Sequence, residues 1–303
     1  MRKVEVNKDK ELRKILSDFA ELITELFDFG NKLLDCDTSD EFEWEYVPKV
    51  FLASYLDILD GISILIRESS VEPCKILLRS LLEYSYFIEY LFVDDFNQKA
   101  RSYYVGEVLE KLSIYKKLMP STDQGRQFKV DMENDDSIIN TDEYSRIPNI
   151  KKAIENLETV LVNPNYNDVN KEYSRYKKEN KGRKAKWYSL FDGPSNIREL
   201  ARRLKRDISY EVFYRLNSSV IHGSRLTDNK IIIHEGGNPM IAPFRNPLDS
   251  QYIVQTATNI SIRVFRVYVE GRKTVPIEEL RLFYSSIEKR HLELLERKII
   301  KMK

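Results

Sequence analysis

Polar side chains are gathered near residue 215 at a spacing that could support chemistry. The segment from Tyr210 to His222, YEVFYRLNSSVIH, has the pattern of a helix. At 100° per residue, the following four side chains fall within an arc of about 100°: Arg215, Ser218, Ser219 and His222. Phe213, Leu216 and Val220 lie on the opposite side. The helix therefore presents one polar face to a cleft, a partner or another polar helix.

This polar face pairs a base with a cation. A neutral imidazole near pH 7 can take a proton from a hydroxyl, and a guanidinium can hold a phosphate through two hydrogen bonds. His222 and Arg215 thus form the minimum set for metal-free cleavage of RNA by its own 2′-hydroxyl. The alternative is structural: His222 caps carbonyl oxygens at a helix end and Arg215 pairs with a carboxylate.

Two charged residues lie inside an apolar helix, ILLRSLLEYSYFIEYL. Arg79 and Glu83 are four positions apart, and unpaired buried charges are costly, so we expect a mutual ion pair. They could also reach a pocket shared with His222, in which Glu83 orients the imidazole. Tyr86 and Tyr210 are candidates to line the same space.

A basic stretch follows in the second half of the chain. Residues 171–186 contain eight Lys/Arg against two Glu, with Tyr173 and Tyr176 interleaved and Trp187 following. Phosphate contacts combined with aromatic stacking hold single-stranded nucleic acid. The candidate nucleic-acid contacts are Lys177, Lys178, Lys181, Arg183, Lys184, Lys186, Arg202 and Arg203. A solvated loop is the alternative.

Motifs for other common chemistries are missing from the sequence. There is no Gly-rich phosphate loop, no HExxH and no Gly-x-Ser-x-Gly, and His234 and His291 lack neighbours at ligand spacing. We therefore expect neither a metal site nor a cofactor.

The elements that must position these residues are helices. Apolar residues recur at helical spacing through most of the chain, and the helix predicted over Cys74–Val93 is apolar nearly all round, as expected at the centre of a core. The sequence thus predicts an all-α fold, a single multi-helix domain with long loops and one short strand or hairpin near 230–245. The polar, aperiodic stretch Ser121–Asn140 predicts a mobile connection.

Three regions are predicted along the chain. Residues 1–47 form an acidic helix and connection, residues 48–275 form the helical core with a basic insertion at 165–194, and residues 276–303 form an amphipathic helix suited to packing or a homodimer. Charge follows the same order: Met1–Glu72 has 9 Lys/Arg against 17 Asp/Glu, whereas Lys171–Arg206 has 13 against 4.

Composition indicates the compartment. The chain has 42% hydrophobic residues and a formal net charge of +1, with no apolar run long enough for a signal peptide or a membrane span. Its two cysteines, Cys36 and Cys74, do not indicate a disulfide framework. We expect a cytoplasmic protein without membrane contact.

Several blocks resemble a known bacterial family. RSLLEYSYFIEYL from Arg79, PSNIRELARRL after Trp187, and YEVFYRLNSSVIHGS from Tyr210 are similar to domain-of-unknown-function family 5677. The resemblance implies an all-helical fold, and its marks fall on Arg79, Glu83, Trp187, Tyr214, Ser218 or Ser219, and His222. The family supplies no agreed activity.

A more distant similarity concerns the end of the third block. Arg215-LNSSVI-His222 resembles the Arg-x4-6-His signature of HEPN nucleases, helical proteins that cut RNA without metal and usually as dimers. This predicts a metal-independent ribonuclease in a toxin or phage-defence setting, acting on RNA or another phosphate-bearing ligand. The other hypothesis is a non-enzymatic ligand-binding or regulatory module in which the same residues are structural.

Overall fold

The computed structural model describes residues 10–38, 41–135, 149–215, 231–232, 240–241 and 245–296. Its α-helices, in chain order, are α1 (Lys10–Asp35), α2 (Val47–Arg67), α3 (Val71–Leu91), α4 (Phe96–Leu118), α5 (Asp123–Glu133), α6 (Ile150–Leu161), α7 (Asn167–Glu179), α8 (Ile197–Arg203), α9 (Asp207–Ser209), α10 (Ser250–Arg272) and α11 (Ile277–Glu296). Short 3-10 helices span Glu43–Tyr46, Pro164–Tyr166 and Trp187–Ser189, and a π-helix spans Tyr210–Tyr214. The predicted all-α fold is confirmed.

Two compact units make up this fold. The first comprises Met1–Asp94 and Ile197–Lys303, and the second comprises Asp95–Asn196. The division into regions 1–47, 48–275 and 276–303 stays a prediction. Among the described helices, none combines the length and the apolar character that a membrane span requires.

In the first unit, α1, α2, α3 and α10 together form the main core. Most of the apolar stripe of α1 is buried, and Phe19, Ile23 and Leu26 are fully so. Helix α1 packs on α2, α2 on α3, and α3 on α10. Burying each such side chain contributes about 1.5–3 kcal/mol. Twelve residues of α3 are buried, which agrees with the central place predicted for this helix.

In the second unit, α4 contacts α5, α6 and α7. The phenol of Tyr173 on α7 donates a 2.8 Å hydrogen bond to the carbonyl oxygen of Ser102 on α4. Gly106 permits this approach, because a Cβ at that position would lie 2.4 Å from the Tyr173 hydroxyl. Trp187 packs edge-on against Tyr103 of α4, with ring centroids 5.9 Å apart. Tyr173 and Trp187 therefore contribute to the packing of the second unit.

Some local predictions need correction. The stretch Ser121–Asn140, predicted as a connection, contains α5, because Thr122 caps this helix by accepting a 2.9 Å hydrogen bond from the amide of Gly125. Helix α3 begins at Val71, so Pro73 lies in its first turn, where proline is tolerated. The predicted hairpin near 230–245 is present as the antiparallel pair β1 (Ile231–Ile232) and β2 (Met240–Ile241).

Candidate functional site

An ion pair on α3 is the starting point of the candidate site. The guanidinium of Arg79 lies 2.9 Å from the carboxylate of Glu83, as the four-residue spacing predicts. About a quarter of each side chain is exposed, 24% for Arg79 and 26% for Glu83. The pair is therefore less buried than its apolar neighbours suggested, and it remains within reach of solvent.

The phenol of Tyr214 completes this ion pair. Its oxygen accepts a 2.5 Å hydrogen bond from Arg79 Nη2 and donates a 2.6 Å bond to Glu83 Oε1. The guanidinium carbon of Arg79 also lies 4.5 Å from the centroid of the Tyr214 ring. Burial raises the pKa of the Tyr214 phenol, and the adjacent Glu83 carboxylate raises it further, while Arg79 opposes the change. The phenol thus stays protonated at neutral pH and can keep donating to Glu83.

The π-helix determines which side chains of this segment contact α3. The amide of Arg215 bonds to the carbonyl of Tyr210, five residues back, and this wider turn brings residues five apart onto one face. Ser209 and Tyr214 therefore both point to α3, whereas in a regular α-helix they would be about 140° apart. Phe213 faces α10 instead, with its ring 6.0 Å from that of Tyr252.

Further contacts follow the same face of α3. The hydroxyls of Tyr86 and Ser209 lie 3.2 Å apart, and burial raises the Tyr86 pKa to about 12. The guanidinium of Arg203 lies 5.7 Å from the Tyr90 ring centroid. Segment 203–214 is thus joined to α3 at several successive positions. Tyr210 stacks on Tyr214, with ring centroids 4.8 Å apart.

The contact between α3 and segment 203–214 also includes a buried carboxylate, that of Glu89. Glu89 is 6% exposed and lies 3.0 Å from Arg206 and 2.6 Å from Arg263 of α10. The Arg263 contact is an ion pair without hydrogen-bond alignment, since Arg263 Nε and Glu89 Oε1 both lack a hydrogen-bond partner among the described residues. Arg263 also donates to the Ser85 hydroxyl at 3.2 Å. One carboxylate therefore links α3, segment 203–214 and α10.

Arg215 is exposed and occupied by a neighbouring carboxylate. Its side chain is 66% exposed and lies 2.5 Å from Glu211, which Arg198 also approaches at 3.2 Å. Hydrogen bonding from Arg215 holds the pKa of the Glu211 carboxyl below its usual value. The carboxylate partner foreseen in the structural alternative is therefore present, and a phosphate at Arg215 would compete with Glu211.

The structure brings Arg79, Glu83 and Tyr214 together. Arg215 directly follows Tyr214 in the chain. Ser218, Ser219 and His222 lie outside the described residues, as does the predicted pocket that His222 would share with Glu83. Within the described part of the chain, no three His, Cys, Asp or Glu side chains are grouped so that they could hold a metal ion.

The predicted nucleic-acid contacts divide into paired and unpaired residues. Lys184 pairs with Glu110 at 2.8 Å, Arg202 with Glu199 at 3.0 Å, and Arg203 lies 3.7 Å from Asp94. The remaining five are exposed and have no carboxylate within 4 Å among the described residues: Lys177, Lys178, Lys181, Arg183 and Lys186. Arg202 and Arg203 belong to the first unit and the other six to the second.

The polar face of α3 and the segment that meets it lie within one recognised sequence region. The model of a family of unknown function, DUF5677, matches residues 45–238. The chain belongs to this family. The DUF5677 region includes Arg79, Glu83, Glu89, Arg206 and Tyr214, and it ends before Arg263 of α10. No curated protein and no solved structure matches the chain.

Sequence reasoning missed three residues of this site. Glu89 and Arg263 were not predicted, and Arg206 was considered only as part of the basic stretch, although Glu89 is a second acidic residue in a largely apolar helix. That feature is the available signal, because a buried carboxylate requires a cationic partner. The partners themselves lie 117 and 174 positions away, so spacing along the sequence does not identify them.

Proposed function

We propose that this DUF5677 chain is a metal-independent endoribonuclease of the HEPN-like type, acting as a cytoplasmic homodimer in a toxin or phage-defence setting. The observation that carries the proposal is the anchoring of Tyr214 by Arg79 and Glu83, one residue before Arg215. This anchor fixes the start of the Arg-x6-His segment on the core of the first unit.

Each residue has a chemical role in the proposed reaction. His222 acts as general base or acid on the 2′-hydroxyl and the leaving oxygen, and Arg215 holds the phosphate and stabilises its added charge. Ser218 and Ser219 supply further hydrogen bonds on the same predicted face. Arg79, Glu83 and Tyr214 are positioning residues, since their hydrogen-bonding groups engage one another. The unpaired basic residues of the second unit contribute phosphate contacts.

The direct test is RNA cleavage in EDTA by the parent protein and by His222→Ala and Arg215→Ala variants, with product ends analysed for cyclic phosphate. We expect cleavage by the parent and a loss of about 100-fold or more in either variant, the usual magnitude for general acid–base and electrostatic groups. Arg281→Ala is the matched control, because Arg281 is 68% exposed and pairs with a nearby glutamate as Arg215 does.

Two outcomes would contradict the nuclease. Intact RNA after incubation with the parent protein is one, and undiminished cleavage by His222→Ala is the other. A product without cyclic phosphate ends would assign the chemistry to a different nucleophile.

A second candidate is a non-enzymatic ligand-binding or regulatory module. It is favoured by the mutual hydrogen bonding of Arg79, Glu83 and Tyr214, which is also what a helix-packing contact requires. In this case His222→Ala lowers the free energy of unfolding by about 1–3 kcal/mol, as for a lost buried hydrogen bond, without a catalytic effect. Thermal unfolding of this variant, combined with the cleavage assay, distinguishes the two candidates.

A further inference from the structure

An open groove in the second unit lies between the end of α6 and the face of α7. Its volume is about 650 Å³. The turn between the helices is short, and the side-chain amide of Asn170 on α7 donates a 2.5 Å hydrogen bond to the carbonyl of Leu161. This bond ties α7 to the end of α6. This bond therefore helps to fix the two sides of the groove against each other.

The lining combines three kinds of side chain. Leu161 and Val162 form an apolar wall, and Val162 is 74% exposed. Lys171 and Lys178 line the opposite side, seven residues and therefore about 10.5 Å apart along α7. Asn167 and Ser174 add hydrogen-bonding groups on the same helix face. Apolar contact, amide and cations together suit a nucleotide.

The charge of the groove depends on Arg175. This arginine forms ion pairs with three nearby carboxylates: Glu172 at 2.6 Å, Glu179 at 3.1 Å and Asp192 at 3.7 Å. Glu172 is further held by a 2.9 Å hydrogen bond from the amide of Phe191.

Consequently both glutamates of the basic stretch are engaged by one arginine. Lys171 and Lys178 have no carboxylate within 4 Å in the described part of the chain. Lys177, adjacent to Lys178, and Lys181 beyond the end of α7 are also exposed. These charges complement a polyanion.

We propose that this groove, whose lining includes Leu161, Val162, Asn167, Lys171, Ser174 and Lys178, is a binding site for single-stranded RNA. The lysines contact phosphates, and a base lies on the apolar wall. Only a single strand with unstacked bases can present a base in this way. The identity of the ligand as RNA rests on the proposed function, whereas the site itself is independent of the cleavage chemistry.

The test is fluorescence anisotropy with the full chain and a labelled 12-nucleotide RNA whose 2′-hydroxyls are methylated. Such RNA cannot be cleaved by its own hydroxyls, so binding is measured apart from catalysis. We expect the double variant Lys171→Glu/Lys178→Glu to weaken binding at least tenfold. Losing two phosphate contacts should also lower the slope of log affinity against log salt by about 1.4.

Matched variants separate the groove from general charge and size effects. Lys151→Glu/Lys152→Glu makes the same charge change on exposed lysines of α6 outside the groove, and we expect less than a twofold effect. Ser174→Trp fills the groove without changing charge and should weaken binding at least fivefold. Thr159→Trp is its control, since Thr159 is an exposed helix residue that bonds to the carbonyl four residues back, as Ser174 does.

The outcomes are separable from those of the cleavage assay. Equal weakening by the groove variants and their controls, or no RNA binding at all, overturns the groove. A poly-glutamate peptide of equal charge that binds as tightly through Lys171 and Lys178 overturns its assignment to RNA. Groove-dependent binding without cleavage of unmethylated RNA supports the groove and contradicts the nuclease.

Discussion

The Tyr214 hydroxyl donates a 2.6 Å hydrogen bond to Glu83, a residue 131 positions earlier in the chain. The same oxygen accepts from Arg79 at 2.5 Å. The phenol therefore lies between a cation and an anion of α3, and it can bridge them only because the π-helix turns Tyr214 towards that helix.

Replacing Tyr214 with Phe should destabilise the protein. The substitution removes both hydrogen bonds to charged groups and should lower the free energy of unfolding by about 1.5–3 kcal/mol, measured by urea denaturation. Tyr210→Phe is the control, because Tyr210 stacks in the same turn but shows no hydrogen bond from its hydroxyl among the described contacts. A Tyr214→Phe variant as stable as this control would show that the bridge contributes nothing.

The same substitution tests the positioning role in catalysis. If Tyr214 acts through Arg215 and His222, Tyr214→Phe should lower kcat for RNA cleavage while KM changes little. A purely structural role predicts unchanged kcat for the folded fraction. A rise in KM alone would instead place Tyr214 in substrate binding.

Releasing Arg215 from Glu211 should strengthen contact with RNA. Because Glu211 holds Arg215 at 2.5 Å and competes with a phosphate, Glu211→Gln should raise affinity for uncleavable RNA by up to about fivefold, the range of an exposed ion pair. Glu278→Gln frees Arg281 in the same manner and should leave affinity unchanged. Weaker binding by Glu211→Gln would argue against Arg215 as a phosphate ligand.

Loss of the Glu89 charge should be costly. Glu89→Gln leaves Arg206 and Arg263 without their carboxylate, and we expect a loss of about 3 kcal/mol in unfolding free energy. This is the low end for a broken buried pair, because 31% and 21% of the two arginines remain exposed. Thermal and urea unfolding provide the measurement. Adding Arg263→Met should restore part of the loss by removing one uncompensated charge; a further additive loss would contradict this explanation.

Asp37 should make stability depend on acid pH. Burial alone would raise its pKa, but hydrogen bonds from Arg272 and Tyr268 outweigh burial and lower the pKa below the usual value. Arg272 donates two bonds of 2.8 Å and Tyr268 one of 2.6 Å. A lowered folded-state pKa gives stability that is present above the unfolded value, about 3.9, and is lost as pH falls through the folded value.

The measurement is urea unfolding of the parent and of Asp37→Asn at pH 7, 5, 4 and 3. The difference in unfolding free energy between them should be constant from pH 7 to 5 and shrink below about pH 4. The difference between the parent and Arg272→Met should shrink over the same range, since protonated Asp37 no longer holds the guanidinium. A difference that stays constant to pH 3 would contradict the lowered pKa.

The helices were largely predictable because their signal is local. Apolar residues recurring every three or four positions predict α1, α2 and α3 without knowledge of their partners, and Arg79 and Glu83 meet because a helix places residues four apart side by side. Where the pattern is polar, as in α5, the helix depends on a cap and on packing against α4, and the sequence alone predicted a connection.

The basic stretch shows the same division. Its excess of positive charge is visible in the sequence, but the distribution of the carboxylates is not. Only the fold shows that Arg175 engages Glu172, Glu179 and Asp192, whereas Lys171 and Lys178 beside the groove have no carboxylate within 4 Å among the described residues.

The sequence by itself therefore determined the helical class, the Arg79–Glu83 pair and the candidate residues on the segment that begins at Tyr210. Only the tertiary structure shows that Tyr214 hydrogen-bonds to that pair, that Glu89 forms ion pairs with two distant arginines, and that the turn before Arg215 is a π-helix. The physical reason is range: helix periodicity acts over four residues, whereas these contacts join residues more than 100 positions apart and are selected by packing and charge compensation.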